Sequence, residues 1–224
     1  MAEHFRVIST GADSPARLGE LSLLHGKVET PAFMPVASQG TVKAVSPDDL
    51  HAIGTCILLG NTYNLYLRPG IDTIEKLGGL HRFMGWNRPV LTDSGGYQVF
   101  SLARLGKVTE EGVTFRSHID GSEHFLTPEL AVKYQHRLGS DIMMVLDECP
   151  PYTDDASRAR DAMERTHRWA ERCYRAWEQR GQMLYGIVQG GIFPELRRQS
   201  ARAVAAIGFP GYALGGLRDR KSVV

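Results

Sequence analysis

The stretch Val90-Leu91-Thr92-Asp93-Ser94-Gly95-Gly96-Tyr97-Gln98-Val99-Phe100 decides how the chain folds and what it can bind. An apolar run leads into an acid, a hydroxyl and two glycines, which predicts a buried strand that ends in a tight turn. The turn offers a carboxylate, the ring of Tyr97 and backbone N–H groups, which suit a flat, hydrogen-bonding ligand. The alternative is an ordinary strand-to-helix turn, with Asp93 as a helix cap and Tyr97 in the core.

Composition favours one soluble domain. The chain has 224 residues, 42% of them hydrophobic, and its 26 Lys and Arg nearly balance its 25 Asp and Glu. Such a chain can bury one sizeable core, and its balanced charge gives no overall basic field for a polyanion. Three scattered cysteines, Cys56, Cys149 and Cys173, argue against a disulfide framework and predict a cytoplasmic location. No apolar run approaches the roughly 18 residues that span a bilayer, so no membrane partner is expected.

Apolar strand-like runs alternate with helical patterns on both sides of the opening stretch. Strands are predicted within 30–37, 56–62, 90–92, 141–148, 184–191 and 212–217. Helices are predicted over 46–54, 69–79, 127–139, 154–180 and 194–206. This alternation predicts an α/β fold with about six parallel strands. Small antiparallel strands are expected within residues 1–30, and an inserted β-hairpin over 113–126 with its turn at Asp120-Gly121.

The longest predicted helix carries a spaced apolar stripe and an excess of arginine. The stripe consists of Ala162, Thr166, Trp169, Cys173 and Trp177, a spacing typical of a helix face packed on the core. Residues 154–202 contain ten arginines and seven acids, a net charge of +3. A solvated helix face is the favoured interpretation of this charge, and contact with phosphate is the alternative.

Polar residues and glycines follow the apolar part of each strand. They are Asn61, Asp93, Asp147, Gln189 and the pair Gly215-Gly216. In a closed parallel barrel such positions meet on one face, where catalytic sites lie. We therefore expect these residues to form one site rather than a set of unrelated turns.

The chemistry of this set matches the edge of guanine. A carboxylate at Asp147 can accept two N–H bonds from the base, while the Gln189 amide and the Gly216 N–H can donate to its carbonyl, and Tyr97 can stack on the ring. Polar groups buried without their ligand would cost about 1–3 kcal/mol each. Strong discrimination against bases with the opposite donor pattern is therefore expected.

Four motifs carry a family resemblance. In chain order they are LTDSGGYQVFSL (residues 91–102), LDECPPY (146–152), GIVQGG (186–191) and GYALGGL (211–217). With PAFMPVA (31–37), LLGNTYNLYLRPG (58–70) and FRSHIDGSEHFLTPE (115–129), the chain from about residue 5 to 217 resembles the bacterial tRNA-guanine transglycosylases. The resemblance implies exchange of the wobble guanine of certain tRNAs for a 7-deazaguanine, prequeuine, in queuosine biosynthesis.

The resemblance also implies a fold and roles for individual residues. The fold would be a (β/α)8 TIM barrel, incomplete here, with an N-terminal antiparallel sheet, and residues 1–217 would form its domain. Asp93 would be the general acid/base and, with Ser94, contact the ribose. Tyr97 would stack on the base, which Asp147, Gln189 and Gly216 would read. Leu217 would offer its carbonyl to the aminomethyl group of prequeuine.

The implied reaction is a double displacement in which a separate aspartate forms a covalent tRNA intermediate. The target nucleotide of the anticodon loop would be flipped into the pocket, no redox or nucleotide cofactor would be needed, and the full-length enzyme would be a homodimer.

Two parts of the family pattern are not found in the sequence. The nucleophilic aspartate and the cysteines and histidine of a structural zinc belong to a later part of the family's chain, so we assign no metal ligand. The chain alone is therefore expected to be inactive in guanine exchange and poorly soluble. Residues 218–224 depart from the family and are expected to be a non-native tail.

Two other functions stay open at this point. A non-catalytic partner subunit or RNA-binding module could keep the barrel without the nucleophile. A glycoside hydrolase could use Asp93 and Asp147 as its paired carboxylates. For Cys149, a small buried core residue is favoured over a nucleophile, because no histidine lies in a recognisable partnering motif.

Overall fold

The structure is a computed structural model that describes residues 4–101, 104–150 and 154–217, and for residues 104–106 it describes the backbone only. The strands are β1 Phe5–Thr10, β2 Arg17–Leu23, β3 Gly26–Thr30, β4 Val36–Ala37, β5 Leu58–Asn61, β6 Val90–Asp93, β7 Arg104–Val108, β8 Val113–Arg116, β9 Glu123–Leu126, β10 Ile142–Met144, β11 Met183–Val188 and β12 Gly211–Leu214. The helices are α1 Pro47–Ala52, α2 Thr62–Leu67, α3 Ile71–Lys76, α4 Leu80–Met84, α5 Gly96–Ser101, α6 Pro128–Leu138, α7 Ala156–Ala176 and α8 Pro194–Ile207. The predicted tail, residues 218–224, lies outside the described residues.

A six-stranded sheet contains every strand that the alternating pattern predicted. Its order is β4-β5-β6-β10-β11-β12, which is also the order of these strands along the chain. The pairs β4–β5, β5–β6, β6–β10 and β11–β12 are parallel. Parallel neighbours need a crossover connection, and a helix lies between each two successive strands of this sheet. The prediction of an α/β fold with a parallel sheet is therefore confirmed.

Two antiparallel sheets accompany the parallel one. The sheet β1-β2-β3 confirms the antiparallel strands expected near the N-terminus. The predicted hairpin over 113–126 is confirmed as the antiparallel pair β8–β9, but β7, which was not predicted, adds a third strand to this sheet. β7 escaped the prediction because Gly106 and Lys107 interrupt its alternation, and its register with β8 shifts between Leu105 and Val108.

The turn of this insert is also longer than predicted. β8 ends at Arg116 and β9 begins at Glu123, so six residues, not two, connect them. The Asp120 carboxylate accepts hydrogen bonds from the Ser122 N–H at 3.1 Å and the Ser122 hydroxyl at 2.7 Å. Asp120 therefore closes a wider loop with its side chain, a role that short polar residues take in turns.

At two other places the structure differs from the predicted elements, once because of prolines and once because of a helix cap. The strand predicted within 30–37 is only β4, because Pro31 and Pro35 cannot donate to a ladder, and Phe33 is 84% exposed. Helix α2 was not predicted from the sequence. Its cap is the Asn61 side chain, whose oxygen accepts the Asn64 N–H at 3.0 Å, so the residue that ends β5 also begins a helix.

The chain divides into two compact units. The first consists of Met1–Asp93, Tyr134–Met143 and Glu178–Met183, and the second of Ser94–Lys133, Met144–Trp177 and Leu184–Val224. Apolar side chains from β5, β6 and helices α1 to α4 and α6 form the core of the first unit. In the second unit Ala159 and Met163 of α7 pack with Leu196 of α8.

Helix α7 confirms most of its predicted stripe. Ala162, Thr166, Trp169 and Cys173 are buried, whereas Trp177 is half-buried and caps the helix C-terminus. Among the described residues no helix combines the length and the apolar character that crossing a bilayer requires.

Several α7 arginines are held by acids. Arg168 binds both carboxylate oxygens of Glu110 at 2.7 Å, and Arg172 binds both of Glu129 at 2.7 and 2.8 Å. The hydrogen bonds from Arg168 keep the Glu110 pKa at about 2. These partners favour a helix face laced with ion pairs over a phosphate-binding surface.

Candidate functional site

The centre of the candidate site is a buried pair formed by Asp147 and Gln189. Asp147 follows β10, Gln189 follows β11, and Nε2 of Gln189 donates to Oδ2 of Asp147 at 2.6 Å. The two residues are only 7% and 3% exposed. Burial raises the pKa of Asp147 to about 6, although the Gln189 hydrogen bond opposes this change. The pair is therefore a polar centre inside the second unit whose charge changes near neutral pH.

This hydrogen bond corrects one expectation. The base-reading groups were expected to stay unpaired without a ligand, but Asp147 and Gln189 form a hydrogen bond with each other. A ligand must therefore replace an existing hydrogen bond rather than fill two vacant positions. The penalty for the free protein is correspondingly smaller than the full cost of two unpaired groups.

Glycines bring backbone against both side chains of the pair. A Cβ on Gly96 would lie 2.7 Å from the Asp147 carbonyl oxygen and 2.9 Å from Oδ1. A Cβ on Gly215 would lie 2.6 Å from the Gln189 Nε2, and one on Gly216, whose φ is +66°, would lie 2.7 Å from Oε1. Only glycine allows this close approach, which explains the glycines at positions 96, 215 and 216.

In the segment that follows β6, Ser94 is buried and makes a structural hydrogen bond, whereas Tyr97 is exposed. Ser94 is buried, and its Oγ accepts the Gly96 N–H at 3.3 Å, so its hydroxyl supports the start of α5. Tyr97 is 53% exposed on α5, which excludes the core tyrosine of the alternative interpretation. Leu217, beyond β12, is 66% exposed. The ring of Tyr97 is thus accessible to a ligand.

Cys149 interacts with the pair, a contact that the sequence analysis missed. Its thiol interacts with the Gln189 side chain and the Gly216 backbone, and burial raises its pKa to about 11. Such a thiol stays protonated at neutral pH, which disfavours a nucleophilic role. Cys149 is half-buried, so the prediction that it is a buried core residue is also inaccurate.

Asp93 lies in the first unit and is held by residues that follow β5. Its carboxylate accepts hydrogen bonds from Asn61 Nδ2 at 2.7 Å and from the Thr62 N–H at 3.1 Å. The Thr62 hydroxyl donates to the Asp93 carbonyl. Asn61 and Asp93 are register partners at the ends of neighbouring parallel strands, which is why their side chains meet. The half-buried carboxylate is therefore ordered by two donors.

One group among the described residues has the composition of a metal site. His25, His81 and Asp141 of the first unit place three ligand atoms within 4.8 Å of one another. The Asp141 oxygens accept the His25 and Val90 N–H groups at 2.8 and 2.9 Å, and ring nitrogens of His25 and His81 lie at 3.0 and 3.1 Å. The two rings stack at 3.6 Å. Four donors on one carboxylate account for this group as a hydrogen-bonded network.

The set in the second unit can bind a flat ligand with a mixed hydrogen-bonding edge. Asp147 offers acceptors, the Gln189 amide offers a donor and an acceptor, and Tyr97 offers an aromatic face. Arg197 of α8, which no motif singled out, holds the neighbouring glycine loops through their carbonyls.

Comparisons with known proteins show the family to which the chain belongs. A family model described as queuine tRNA-ribosyltransferase matches residues 13–222. Three curated relatives carry that name. They come from Halothermothrix orenii (54% identity over 97% of this chain), Solidesulfovibrio magneticus (59% over 92%) and Dehalococcoides mccartyi (57% over 97%). The chain covers 58%, 56% and 55% of their lengths. The chain therefore belongs to the queuine tRNA-ribosyltransferase family.

Proposed function

We propose that this chain carries the guanine-reading part of a tRNA-guanine transglycosylase, which exchanges the wobble guanine of tRNA for a 7-deazaguanine base in queuosine biosynthesis. The observation that carries the proposal is the buried Asp147–Gln189 pair, with glycine backbone packed against both side chains. Family membership supports the reaction class. The absence of a purine-stacking ring would weaken the proposal, but Tyr97 supplies an exposed one.

In the proposed complex the Asp147 carboxylate accepts the ring N–H and the exocyclic amine of guanine. The Gln189 amide and the Gly216 N–H donate to the carbonyl on the other side of the base. Adenine presents an amine where guanine has this carbonyl, so its binding would leave buried donors facing a donor. Leu217 offers its carbonyl to the aminomethyl group of prequeuine, and this contact distinguishes prequeuine from guanine.

Asp93 acts on the flipped nucleotide as general acid/base and contacts its ribose together with Ser94. The hydrogen bonds from Asn61 and Thr62 support this role, because they fix the direction of the carboxylate. In the exchange the bond between C1′ and the guanine nitrogen breaks, and a separate aspartate bonds to C1′. Asp93 gives a proton to the departing guanine nitrogen. The incoming base then displaces the aspartate from C1′ and loses its ring proton to Asp93. The nucleophile is assigned to no residue of this chain.

The remaining parts of the proposal concern the whole enzyme. Six sheet strands in chain order are consistent with a (β/α)8 barrel, the architecture that brings strand ends to one catalytic face. We include in the proposal binding of the tRNA anticodon loop, a homodimer, a cytoplasmic location and a structural zinc whose ligands are not assigned here.

Base binding tests the proposal. Isothermal titration of the chain with guanine, hypoxanthine and adenine is expected to rank affinity in that order, because hypoxanthine lacks the amine that Asp147 accepts. Asp147→Asn is expected to weaken guanine binding about a hundredfold, the value of a hydrogen bond to a buried charge. Asp161→Asn, an exposed acid on α7, is the matched control and should change nothing. Equal affinity for adenine and guanine would overturn the proposal.

A competition measurement separates the two enzyme classes left open by the sequence. A 7-deazaguanine is expected to displace bound guanine, whereas simple sugars are expected to leave it bound. Displacement by sugars alone would favour a glycoside hydrolase.

A further inference from the structure

Arg197 of α8 reaches the glycine loops that follow β11 and β12. Its Nη1 and Nη2 each donate to the Gly215 carbonyl at 3.1 Å, and Nη1 also donates to the Gly191 carbonyl at 3.3 Å. We propose that Arg197 is a positioning residue that aims the Gly216 N–H at the base. This inference rests on the proposed function, since it concerns the same pocket.

A single planar peptide group links Arg197 to the Gly216 N–H. The Gly215 carbonyl and the Gly216 N–H belong to the same peptide unit, in which C=O and N–H point in opposite directions. A guanidinium that fixes the direction of the carbonyl therefore fixes the direction of the N–H. The preceding peptide is held separately, because the Gly215 N–H donates to the Val188 carbonyl at 2.9 Å.

Two consecutive glycines need such an external restraint. Gly216 has a φ of +66°, and neither glycine can carry a side chain beside Gln189. Glycine visits more backbone conformations than any other residue, so hydrogen bonds must hold the peptide between Gly215 and Gly216. The Cys149 thiol also interacts with the Gly216 backbone, but sulfur is only a weak hydrogen-bonding group. Hydrogen bonds from a charged guanidinium are stronger than neutral ones, and here both nitrogens bind one carbonyl oxygen.

The backbone of Arg197 is also packed at the site. A Cβ on Gly190, whose φ is +129°, would lie 2.8 Å from the Arg197 nitrogen. Gly190 directly follows Gln189, so the start of α8 packs against the loop that carries the amide while the Arg197 side chain holds the loop that carries the N–H. One residue thus sets the spacing of both donors to the base carbonyl.

Neighbouring Arg198 provides a matched control. It pairs with Glu195 on the exposed face of α8, where the two side chains are 63% and 84% exposed. Removing Arg198 therefore changes the same helix and the same charge without touching either glycine loop. An arginine that serves only the surface would behave like Arg198.

The test uses two ligands that differ only at the carbonyl position. Guanine and 6-thioguanine present the same donors to Asp147, but sulfur is a weaker acceptor than oxygen for the Gly216 N–H. By isothermal titration, Arg197→Ala is expected to raise the guanine Kd about tenfold and the 6-thioguanine Kd about twofold or less, as for loss of one hydrogen bond. Arg197→Lys is expected to give an intermediate guanine Kd, and Arg198→Ala an unchanged one.

Each outcome decides the inference. Equal guanine affinity of Arg197→Ala and Arg198→Ala overturns it and leaves base reading intact. Equal losses for the two ligands also overturn it, since they indicate a general structural role. If circular dichroism shows that Arg197→Ala is unfolded, Arg197→Lys decides by the same ligand comparison. Failure of the unmodified chain to bind guanine overturns the proposed function, and this inference with it.

Discussion

At the residue scale, the proposed base-reading role of Asp147 depends on a carboxyl group whose pKa is raised. Its carboxylate lies against backbone and amide groups that leave little water around it, and burial raises its pKa to about 6. Guanine recognition requires the ionised form, which accepts two hydrogen bonds, whereas the protonated form is itself a donor. Recognition and protonation are therefore linked at this one group.

Guanine affinity is expected to increase with pH. Binding should be weak at about pH 5, rise through a midpoint near the Asp147 pKa of about 6, and level off by about pH 7.5. Titration calorimetry across this range measures the profile. Asp161→Asn should follow the same curve, and a pH-independent affinity would show that the ionisation of Asp147 does not control binding.

The same pKa predicts how stability depends on pH. A carboxyl whose folded pKa is raised favours folding below its unfolded pKa of about 3.8, and this contribution is lost as pH rises through about 6. The difference corresponds to about 3 kcal/mol. Asn does not titrate, so the stability of Asp147→Asn minus that of the unmodified chain should be larger at about pH 7.5 than at about pH 4. Urea unfolding at the two pH values measures this difference. A stability difference that is constant over this range would contradict the assignment.

Some residues of the candidate site could be predicted from the sequence and others could not. Asp147 and Gln189 could be predicted because each follows an apolar strand and stands in a polar, glycine-rich exit. Arg197 could not, because it stands beside Arg198 on one helix and its partner carbonyl lies 18 residues away. The bond between Asp147 and Gln189 was also beyond prediction, since it depends on the spacing of β10 and β11.

At the element scale, Asp141 joins three segments of the first unit. It precedes β10 and accepts hydrogen bonds from the β2–β3 turn at His25, from α4 at His81 and from β6 at Val90. Burial opposes its ionisation, but these hydrogen bonds outweigh burial and lower its pKa. The carboxylate is therefore a polar cross-link between a turn, a helix and a strand.

Asp141→Asn is expected to destabilise the chain by about 3 kcal/mol at neutral pH, because it leaves buried donors without a charged acceptor. A carboxyl with a lowered folded pKa contributes stability above its unfolded pKa, and this contribution is lost as pH falls through the folded value. The difference between the two proteins should therefore shrink in acid. Urea unfolding at neutral and acidic pH measures it, with the exposed Asp13→Asn as control. A neutral effect at both pH values would exclude this role for Asp141.

Elements were predicted where their periodicity was uninterrupted. The apolar runs of β5, β6 and β11 and the long stripe of α7 have a clear period. β7 was missed because glycine and lysine interrupt it, and α2 because its cap is the last residue of a strand. Local patterns thus identified regular elements but not elements defined by a tertiary pairing or a shared residue.

At the scale of the whole molecule, the sheet order could be predicted because parallel strands followed one another with helices between them. Among the described residues the sheet ends at β4 and β12, and each of these strands pairs on one side. On β12, Tyr212 is 47% and Leu214 is 70% exposed. An exposed apolar edge strand is a surface for pairing with another chain.

The chain is therefore expected to self-associate through β12. Leu214→Lys should shift it toward the monomer, because a charge on an edge strand disfavours further pairing. Size-exclusion chromatography with light scattering measures this shift. Leu24→Lys replaces another leucine, 56% exposed and outside the parallel sheet, and should leave the mass distribution unchanged. The same shift for both variants would exclude a specific role of the edge.

The central claim is that Asp147, Gln189 and Gly216 together hold guanine, and a crystal structure of the chain with guanine bound tests it most directly. We expect Asp147 oxygens within about 3 Å of the ring N–H nitrogen and of the exocyclic amine, with the Gly216 nitrogen at the same distance from the base carbonyl. Guanine bound elsewhere, with the 2.6 Å bond between Gln189 and Asp147 still intact, would contradict it.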